Sequence, residues 1–521
     1  MTSRFLAHGG TLPGVLERAP RTALSLLDDG TRLTYKELLD AARTIANALT
    51  SAGIGEDETV GVRLPNGGDW AIAAYGILCA GARVVPINTR YTDSEAADII
   101  TRSGCRLVIT EKAAATPPPP ALLGPPAPSK PTASFEPLAV FEAAAVPEVW
   151  SVSELLASGG GGAETDRRMR GLHPGRISHV QYTSGATGLP KGVLLRHGGL
   201  VETTRGWVAN TGLRGGDRYP VVAPFAHIGG HKTGLLACAV AGATALPQPV
   251  LDPKALARTV AEHGVTVLQG PPALFQALLA EPDMPVGRVR VAVTGAAVVP
   301  PALVHRLREQ LGIPHVFTGY GLTEASGVCT MTRWDDPVAA VAETSGKPVP
   351  GVEVRLAAAD GPGEILVRGP GLMAGYLDDP EATAAAFTDG WLRTGDLGEW
   401  DGEGRLRVVD RLKDLLIVGG LNVSPAEVEH VLTGHPGVGA AAVVGVPHER
   451  LGEVPAAFVV GDAGAEELVA YCAERLAGFK VPRTLWHVAE LPLNGAGKVD
   501  KPRLRREAGR RSSGTVPNPR P

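Results

Sequence analysis

Residues 182–192 read YTSGATGLPKG and directly follow a β-like segment, residues 177–182. Glycines let the backbone approach an anion closely, Ser and Thr hydroxyls donate hydrogen bonds, and the Lys191 ammonium adds a positive charge. We interpret the stretch as a phosphate-binding loop; a plain surface turn, the alternative, would not need this combination. The residues that we expect to bind are Thr183, Ser184, Gly185, Thr187, Gly188 and Lys191.

The pattern on both sides of this loop alternates between strands and helices. An amphipathic stretch opens at residues 33–38, an apolar strand follows at 60–64, and an apolar helix follows at 70–82. Such alternation predicts an α/β fold with parallel sheets. The chain has 521 residues, which favours a large domain with a smaller one beside it.

Composition excludes several classes of partner. The net charge is −4, so there is no basic field for nucleic acid or for an anionic membrane surface. The five cysteines are scattered and never form a C-x-x-C pair, which indicates neither a zinc site nor a disulfide framework. We expect a cytoplasmic protein that acts on a small molecule, and the sequence leaves a homodimer open.

A second motif, GYGLTE at residues 319–324, combines an aromatic ring, a hydroxyl and a carboxylate. An aromatic face can stack on a nucleobase, and a carboxylate can hold the Mg²⁺ that bridges phosphates. The alternative is a tyrosine buried in a glycine turn.

Further motifs follow towards the end of the chain. Asp396 lies in GWLRTGD, and its two oxygens could accept both hydroxyls of a vicinal diol, although an aspartate after glycine is often only a turn residue. Residues 419–429 read GGLNVSPAEVE, in which Ser424 is a plausible helix N-cap. Lys498 stands in a glycine loop, where a lysine is usually only solvated.

In this order the motifs resemble the adenylate-forming superfamily, which contains acyl- and aryl-CoA synthetases, luciferases and the adenylation domains of peptide synthetases. The resemblance extends from about residue 31 to about residue 504. The GGxNV form at 419–423 is similar to that of CoA ligases, among them the coumarate ligases, rather than to that of peptide synthetases. Ala186 departs from the Thr or Ser that is usual at its place in the loop.

The resemblance implies a separate role for each part of the chain. A large N-terminal domain of parallel and mixed sheets with helices, residues 1–410, would bind ATP and the acyl substrate. A hinge at 411–413, with Lys413 as the pivot, would lead to a small, mobile α+β domain at 414–505 that carries the catalytic lysine. Residues 506–521 contain Arg, Ser, Gly and Pro without periodicity, so we expect a disordered tail.

The resemblance also implies roles for single residues. Tyr320 would lie against adenine, Thr323 would meet the α-phosphate or the substrate carboxylate, and Glu324 would bind Mg²⁺. Asp396 and Arg411 would hold the ribose, and Lys498 would bridge the carboxylate and the α-phosphate. Other residues implied in ATP binding are Gly295, Ala296, Ala297, Gly319 and Gly321; those implied in CoA binding are Gly419 and Gly420.

The acyl site is expected around the segment PFAHIGGHKT, residues 224–233. His227 matches the family's histidine beside the acyl group, although a histidine satisfied inside a core would look the same. His231 or Lys232 could meet a polar substituent or face water. The remaining pocket positions are mostly small, which leaves room for an aryl or medium-length acyl group; they are Gly229, Thr233, Val293, Gly327 and Val328.

The reaction implied by the resemblance has two steps. The carboxylate attacks the α-phosphorus of ATP with Mg²⁺, pyrophosphate leaves, and the thiol of CoA then displaces AMP. A carrier-protein thiol, an amine or an inorganic anion could replace CoA as the acceptor. A protein that only binds nucleotide is the remaining alternative, and the joint presence of Lys191, Glu324, Asp396, Arg411 and Lys498 argues against it.

Overall fold

The structure is a computed structural model that describes residues 10–28, 31–111, 148–158, 161–183, 190–295, 299–358, 361–412, 414–418, 421–494 and 498–513. The chain forms two compact units. Unit 1 comprises residues 1–251 and 370–383, and unit 2 comprises residues 252–369 and 384–521.

The described part of unit 1 contains a four-stranded sheet, ordered β2-β1-β10-β9, and a six-stranded sheet, ordered β6-β5-β3-β4-β7-β8. Its strands are Leu24–Asp28 (β1), Thr31–Thr34 (β2), Thr59–Arg63 (β3), Arg83–Pro86 (β4), Cys105–Thr110 (β5), Glu148–Trp150 (β6), Ile177–Thr183 (β7), Lys191–Arg196 (β8), Arg218–Val221 (β9) and Thr244–Pro247 (β10). Its helices are Leu12–Arg18 (α1), Tyr35–Ser51 (α2), Gly68–Cys79 (α3), Asp93–Arg102 (α4), Val152–Ala157 (α5), Ala163–Gly171 (α6), His197–Thr211 (α7), Ile228–Gly230 (α8) and Ala237–Ala241 (α9), with a π-helical turn, His231–Leu236, between α8 and α9.

Local chemistry fixes the helices of unit 1 where the sequence indicates them. Thr34 caps α2 by accepting from the Glu37 N–H, and the Glu37 carboxylate accepts from the Thr34 N–H at 2.8 Å. This reciprocal cap satisfies amides that the first helical turn leaves open. Helix α3 is apolar on all sides and is buried along almost its whole length, as expected for a helix between layers.

Residues 374–377 join unit 1 by pairing with strand β8. Leu194 donates to the Gly375 carbonyl at 3.0 Å, and Leu377 donates to the Gly192 carbonyl at 2.7 Å. A segment far along the chain therefore lies beside the strand that leaves the glycine-rich loop.

The remaining elements belong to unit 2, except for the first four residues of helix α14 (Pro380–Ala385), which belong to unit 1. The described strands of unit 2 form three sheets, ordered β11-β12-β13-β14-β15, β16-β17-β19-β18 with β20 on β19, and β22-β21-β24-β23 with β25 on β24. The strands are Val267–Gly270 (β11), Val291–Gly295 (β12), His315–Leu322 (β13), Gly327–Met331 (β14), Lys347–Pro348 (β15), Glu353–Leu356 (β16), Gly363–Arg368 (β17), Phe387–Thr388 (β18), Trp391–Trp400 (β19), Leu406–Arg411 (β20), Leu416–Val418 (β21), Leu421–Val423 (β22), Val438–His448 (β23), Gly452–Gly461 (β24) and Thr484–His487 (β25). The helices are Pro253–His263 (α10), Pro272–Ala280 (α11), Pro301–Glu309 (α12), Val338–Glu343 (α13), Pro380–Ala385 (α14), Pro425–Thr433 (α15), Ala465–Ala473 (α16) and Lys501–Ser513 (α17).

The last part of unit 2, from β21 to α17, has a hydrophobic core of its own. Phe458 on β24, Leu432 on α15 and Leu468 on α16 are fully buried in it. The α/β class with a smaller C-terminal α+β part is thus confirmed. The exact boundaries at 410 and 413 stay predictions.

The expected tail differs from the structure over its first half. Helix α17 extends to Ser513, and Leu504 and Ala508, one turn apart, are both fully buried in the C-terminal core. Two apolar residues at a spacing of four lie on the same face of a helix and can pack it against a core, even when its other faces are charged. Residues 514–521 lie outside the described part of the chain.

Among the described helices, none combines the length and the apolar character that spanning a membrane requires.

Candidate functional site

The residues on both sides of Tyr320 in strand β13 are glycines, because the adjacent strand β14 leaves no space for side chains there. A Cβ added to Gly321 would lie 2.0 Å from the Gly327 carbonyl oxygen, and one added to Gly319 would lie 2.8 Å from that of Thr330. The two glycines therefore allow β13 and β14 to pair closely while the tyrosine ring stays at the edge of the sheet.

Tyr320, Asp396 and Arg411 form one connected group. The Tyr320 hydroxyl donates to Oδ2 of Asp396 at 2.6 Å, and the Arg411 guanidinium lies 3.1 Å from Oδ1. Asp396 is buried, whereas Arg411 is half exposed. Burial, followed by the negative charge of Asp396, raises the pKa of Tyr320 well above its ordinary value, so the phenol stays protonated as a donor.

The register of the sheet brings Asp396 and Arg411 together. Strands β19 and β20 are antiparallel, and these two residues face each other as a pair. Tyr320 reaches the same carboxylate from a different sheet of unit 2. The sequence order of the motifs gave no distances, and the structure shows that three predicted nucleotide-binding residues are in direct contact.

Thr323 and Glu324 follow on a single 3₁₀ turn, Thr323–Ala325. The turn ends at Ser326, whose φ of +58° lies in the left-handed region, and the chain then returns along β14. Thr323 is buried and Glu324 is half buried. No cluster of three or more potential metal ligands occurs in the described part of the chain.

Gly295 ends strand β12 next to the GYG motif. It pairs in parallel with Gly319, and Val293 pairs with Phe317. Val293 is buried, while Gly327 and Val328, both on β14, are half buried. Ala296 and Ala297 lie outside the described residues.

In unit 1 the two ends of the glycine-rich loop are fixed as neighbours. Thr183, the last residue of β7, pairs with Lys191, the first residue of β8. The Lys191 ammonium lies 3.7 Å from an Asp379 oxygen and 5.0 Å from the centre of the Tyr376 ring. Ser184, Gly185, Thr187 and Gly188 lie outside the described residues.

Sequence reasoning missed Tyr376 and Asp379. Their segment, residues 376–379, carries an aromatic ring next to two carboxylates, but nothing in its spacing links it to a loop almost two hundred residues earlier. Only the pairing of residues 374–377 with β8 reveals the contact.

His227 in the acyl segment caps α8. Its Nδ1 accepts from the Gly229 N–H at 3.1 Å. Thr233, further along, is buried and bonds through its hydroxyl to the Gly229 carbonyl. His231 and Lys232 are both fully buried, so the alternative that they face water is wrong.

Lys498 is exposed at the base of a tight turn. Its N–H donates to the Asn494 side chain at 3.1 Å, and its carbonyl accepts from the Asn494 N–H at 2.7 Å. Residues 495–497 between them lie outside the described part, as do Lys413, Gly419 and Gly420.

The predicted N-cap at Ser424 is present and has a second function. Its hydroxyl accepts from the Glu427 N–H at 3.1 Å and also lies 2.6 Å from an oxygen of the buried Asp410. Asp410 belongs to β20, one residue before the expected hinge. This contact ties the start of α15 to the strand that carries Arg411.

Comparison with known proteins places these motifs in a family. A family model described as "AMP-binding enzyme" matches residues 15–377, and one described as "AMP-binding enzyme C-terminal domain" matches residues 427–498. The chain is 43% identical, over 95% of its length and 98% of the relative's, to 3-[(3aS,4S,7aS)-7a-methyl-1,5-dioxo-octahydro-1H-inden-4-yl]propanoyl:CoA ligase of Mycobacterium tuberculosis.

Solved structures of CoA ligases are similar to this chain over nearly its whole length. The anthranilate CoA ligase AuaEII in complex with anthranoyl-AMP has a TM-score of 0.84 at 25% identity, covering 98% of this chain and 100% of the other. O-succinylbenzoate CoA synthetase of Bacillus subtilis with ATP and magnesium has a TM-score of 0.80 at 27% identity, covering 95% and 98%. The chain belongs to the adenylate-forming superfamily of AMP-binding enzymes. Its activity is that of an AMP-forming acid:CoA ligase.

Proposed function

We propose that this ligase activates a carboxylic acid that carries a ring system, aryl or alicyclic, with ATP and Mg²⁺, and that it transfers the acyl group to CoA. The observation that carries the use of ATP is the joined group of Tyr320, Asp396 and Arg411. The ring system is supported by the relative that shares 43% identity over nearly the full chain and is named for a bicyclic propanoyl group.

The nucleotide would be held by side chains that already have the necessary chemistry. Asp396 offers two carboxylate oxygens to the ribose diol, and Arg411, which is half exposed, can add a donor to the ribose. The Tyr320 ring, flanked by glycines, offers a face for adenine. Its hydroxyl and the ribose compete for the same carboxylate, so binding exchanges one hydrogen bond for another.

The phosphates are assigned to the side chains of Lys191 and Glu324. Lys191 has an ammonium group next to Asp379 at 3.7 Å, a long contact that a phosphate can replace. Glu324 would bind Mg²⁺. When bound, Mg²⁺ neutralises charge on the phosphate oxygens.

Adenylation needs no protein nucleophile. The substrate carboxylate attacks the α-phosphorus, the bond to pyrophosphate breaks, and positive groups stabilise the charge that builds up. Thr323 and Lys498 are assigned to this charge, and His227 is assigned to the wall beside the acyl group. In the second step the sulfur of CoA attacks the acyl carbon and AMP leaves.

The domain roles follow the same assignment. Residues 1–410 would bind ATP and the acid, residues 411–413 would act as the hinge, and residues 414–505 would deliver Lys498 and then the CoA-facing turn with Gly419 and Gly420. The separate core from β21 to α17 supports a C-terminal part that moves as one body. All five cysteines are free thiols, which suits a reducing cytoplasm that supplies ATP and CoA.

Lys498→Ala tests the assignment of the two steps. We expect ATP–pyrophosphate exchange to fall by about 10²-fold or more, as for the loss of one charge-stabilising donor. Conversion of supplied acyl-AMP and CoA to thioester should stay within about threefold. Lys254→Ala, at an exposed lysine of α10, is the matched control and should leave both steps unchanged.

The acid and the acceptor are identified by a pyrophosphate-release screen of ring-bearing and straight-chain acids, with and without CoA. Ring-bearing acids should be preferred, and CoA should stimulate turnover. Loss of both half-reactions in Lys498→Ala would contradict the residue assignment. Stimulation by an amine instead of CoA would contradict the acceptor.

A further inference from the structure

Three aromatic rings of unit 1 form a buried row that the proposed reaction does not use. The centres of the His179 and His231 rings are 4.5 Å apart, and that of Trp70 is 5.5 Å from His231. His179 and His231 are 1% exposed and Trp70 is not exposed at all. We call these three residues the ring row.

Each member of the ring row has a nitrogen that lacks a hydrogen-bond partner among the residues described. They are Nε2 of His179, Nε2 of His231 and Nε1 of Trp70. Buried polar atoms are nearly always satisfied, and each exception calls for an explanation such as a bound molecule. Three such nitrogens in one row indicate a polar group that the protein chain itself does not supply.

The chemistry of the row favours an oxygen acceptor. The indole nitrogen of Trp70 can only donate. Burial lowers the pKa of His231 to about 4 and that of His179 well below its ordinary value, so both imidazoles are neutral near pH 7. His179 Nδ1 lies 2.9 Å from the Ser178 hydroxyl, and this hydroxyl donates to the Leu195 carbonyl at 3.2 Å. Nδ1 of His179 is therefore the donor to Ser178, and its Nε2 is an acceptor. The donors that the row can direct at a carbonyl oxygen, without adding positive charge, are the Trp70 indole and His231 in the tautomer with its hydrogen on Nε2.

The position of the row relates it to the acyl site. Side chains alternate along a strand, so His179, Gln181 and Thr183 share one face of β7. Gln181 donates to the Ala226 carbonyl at 2.8 Å, which places this face against the acyl segment. The His231 N–H donates to the His227 carbonyl at 3.0 Å, so the row begins one helical turn beyond His227.

The position of His179 on β7 sets its distance from the phosphate loop. His179 precedes Thr183, the residue at the phosphate loop, by four positions, which is about 13 Å along a strand. An acid whose carboxylate lies near the loop would therefore extend its far end towards the ring row.

We propose that the ring row is the distal end of the acyl site and binds a carbonyl oxygen on the ring system of the acid, so that the natural substrate is a cyclic keto acid. The proposal rests on the function proposed above. His231 and Trp70, the donors of the row, are thereby assigned as specificity-determining residues.

The test compares two acids of the same shape in the wild-type enzyme. One is a bicyclic propanoic acid with a ring ketone at its far end, and the other has a methylene in place of that carbonyl. We expect kcat/KM for thioester formation to be about tenfold or more higher for the keto acid, because the methylene leaves buried donors unpaired.

Variants of His231 then test whether this residue causes the preference for the keto acid over the methylene acid. His231→Phe should lower kcat/KM for the keto acid about tenfold and leave the methylene acid within about threefold. His231→Gln keeps an N–H donor and should retain part of the preference. His305→Phe, at an exposed histidine of α12, is the matched control and should change neither value.

The outcomes separate the two proposals. Equal use of both acids by the wild type overturns the keto-acid inference and leaves the ring-bearing acid intact. An equal fall for both acids in His231→Phe also overturns it. If neither ring acid is used while a straight-chain acid is, both proposals are wrong. Should His231→Phe fail to fold, the wild-type comparison of the two acids decides alone.

Discussion

The Tyr320 hydroxyl donates a 2.6 Å hydrogen bond to Asp396, and this carboxylate is the one that we assign to the ribose. The aromatic residue that we assign to the base thus bonds to an oxygen that we assign to the sugar. The bond orients both residues, and on this assignment it is exchanged when the ribose binds.

Tyr320→Phe separates the ring from the hydroxyl. We expect the free energy of unfolding to fall by about 2 kcal/mol, the usual cost of losing a hydrogen bond to a charged group. The KM for ATP should change less than about threefold, because the ring that stacks remains. Tyr320→Ala removes the ring too and should raise that KM about tenfold. Urea unfolding and ATP titrations measure the two effects; equal KM values for the two variants would contradict a stacking role.

Gly321→Ala should disturb the β13–β14 pairing directly. The new methyl group would lie 2.0 Å from the Gly327 carbonyl oxygen, so the strands have to separate, at a cost of about 1–3 kcal/mol. Gly402→Ala is the control, since no atom lies within 4 Å of its added Cβ. We expect the urea midpoint to fall only for Gly321→Ala, and the KM for ATP to rise with it. A midpoint unchanged in both variants would show that the hairpin has space for the methyl group.

The buried histidines of unit 1 make its stability depend on pH. Burial lowers the pKa of His231 to about 4 and that of His197 to about 3, where Arg176 adds to the effect. In the unfolded chain both titrate near 6.5, so below that pH the unfolded state binds more protons. The stabilisation is complete above pH 6.5 and is lost as the pH falls towards 4.

We therefore expect the free energy of unfolding, and with it the urea midpoint, to decrease from pH 7 to pH 5. For each such histidine the slope of the free energy approaches about 1.4 kcal/mol per pH unit below pH 6.5. His197→Asn should reduce the slope, since the asparagine does not titrate and can still accept from the Leu12 N–H, which now bonds to His197 Nδ1 at 3.3 Å. His305→Asn, at an exposed histidine, should leave the slope unchanged. A midpoint independent of pH over this range would show that the histidines are not buried in solution.

Ser424→Ala should loosen the connection between β20 and α15. The variant loses the N-cap, at about 1 kcal/mol, and also the hydroxyl that lies 2.6 Å from the buried Asp410 carboxylate. Hydrogen exchange should accelerate in the first turn of α15 while unit 1 stays unchanged. Ser424→Thr keeps a hydroxyl and should restore most of the protection; the same acceleration in both variants would contradict the role of the hydroxyl.

The fold could be predicted largely because its signals are local. The reciprocal cap of Thr34 and Glu37, the apolar helix that contains Trp70 and the cap at Ser424 are all short patterns. Helix α17 was missed because only Leu504 and Ala508 face the core, among many charged neighbours.

The site could be predicted only in part because its contacts are distant in sequence. The order of motifs indicates that Tyr320 and Asp396 serve one ligand, but not that they bond to each other. The neighbours of Lys191, Tyr376 and Asp379, are fixed by sheet pairing. The ring row depends on contacts between a strand and two helical segments, and no spacing in the sequence links these three elements.

The π-helical turn His231–Leu236 has a consequence for how related chains diversify. A π turn contains one residue more than an α turn, so deleting one residue there would restore a regular α-helix without moving its two ends far apart. The flanking helices would keep their faces, while the side chains inside the turn would shift by up to one position, about 100° around the helix axis. A single-codon deletion in this segment could in this way remove His231 from its ring neighbours and redirect the enzyme to acids without a ring oxygen, while the ATP-binding residues stay in place.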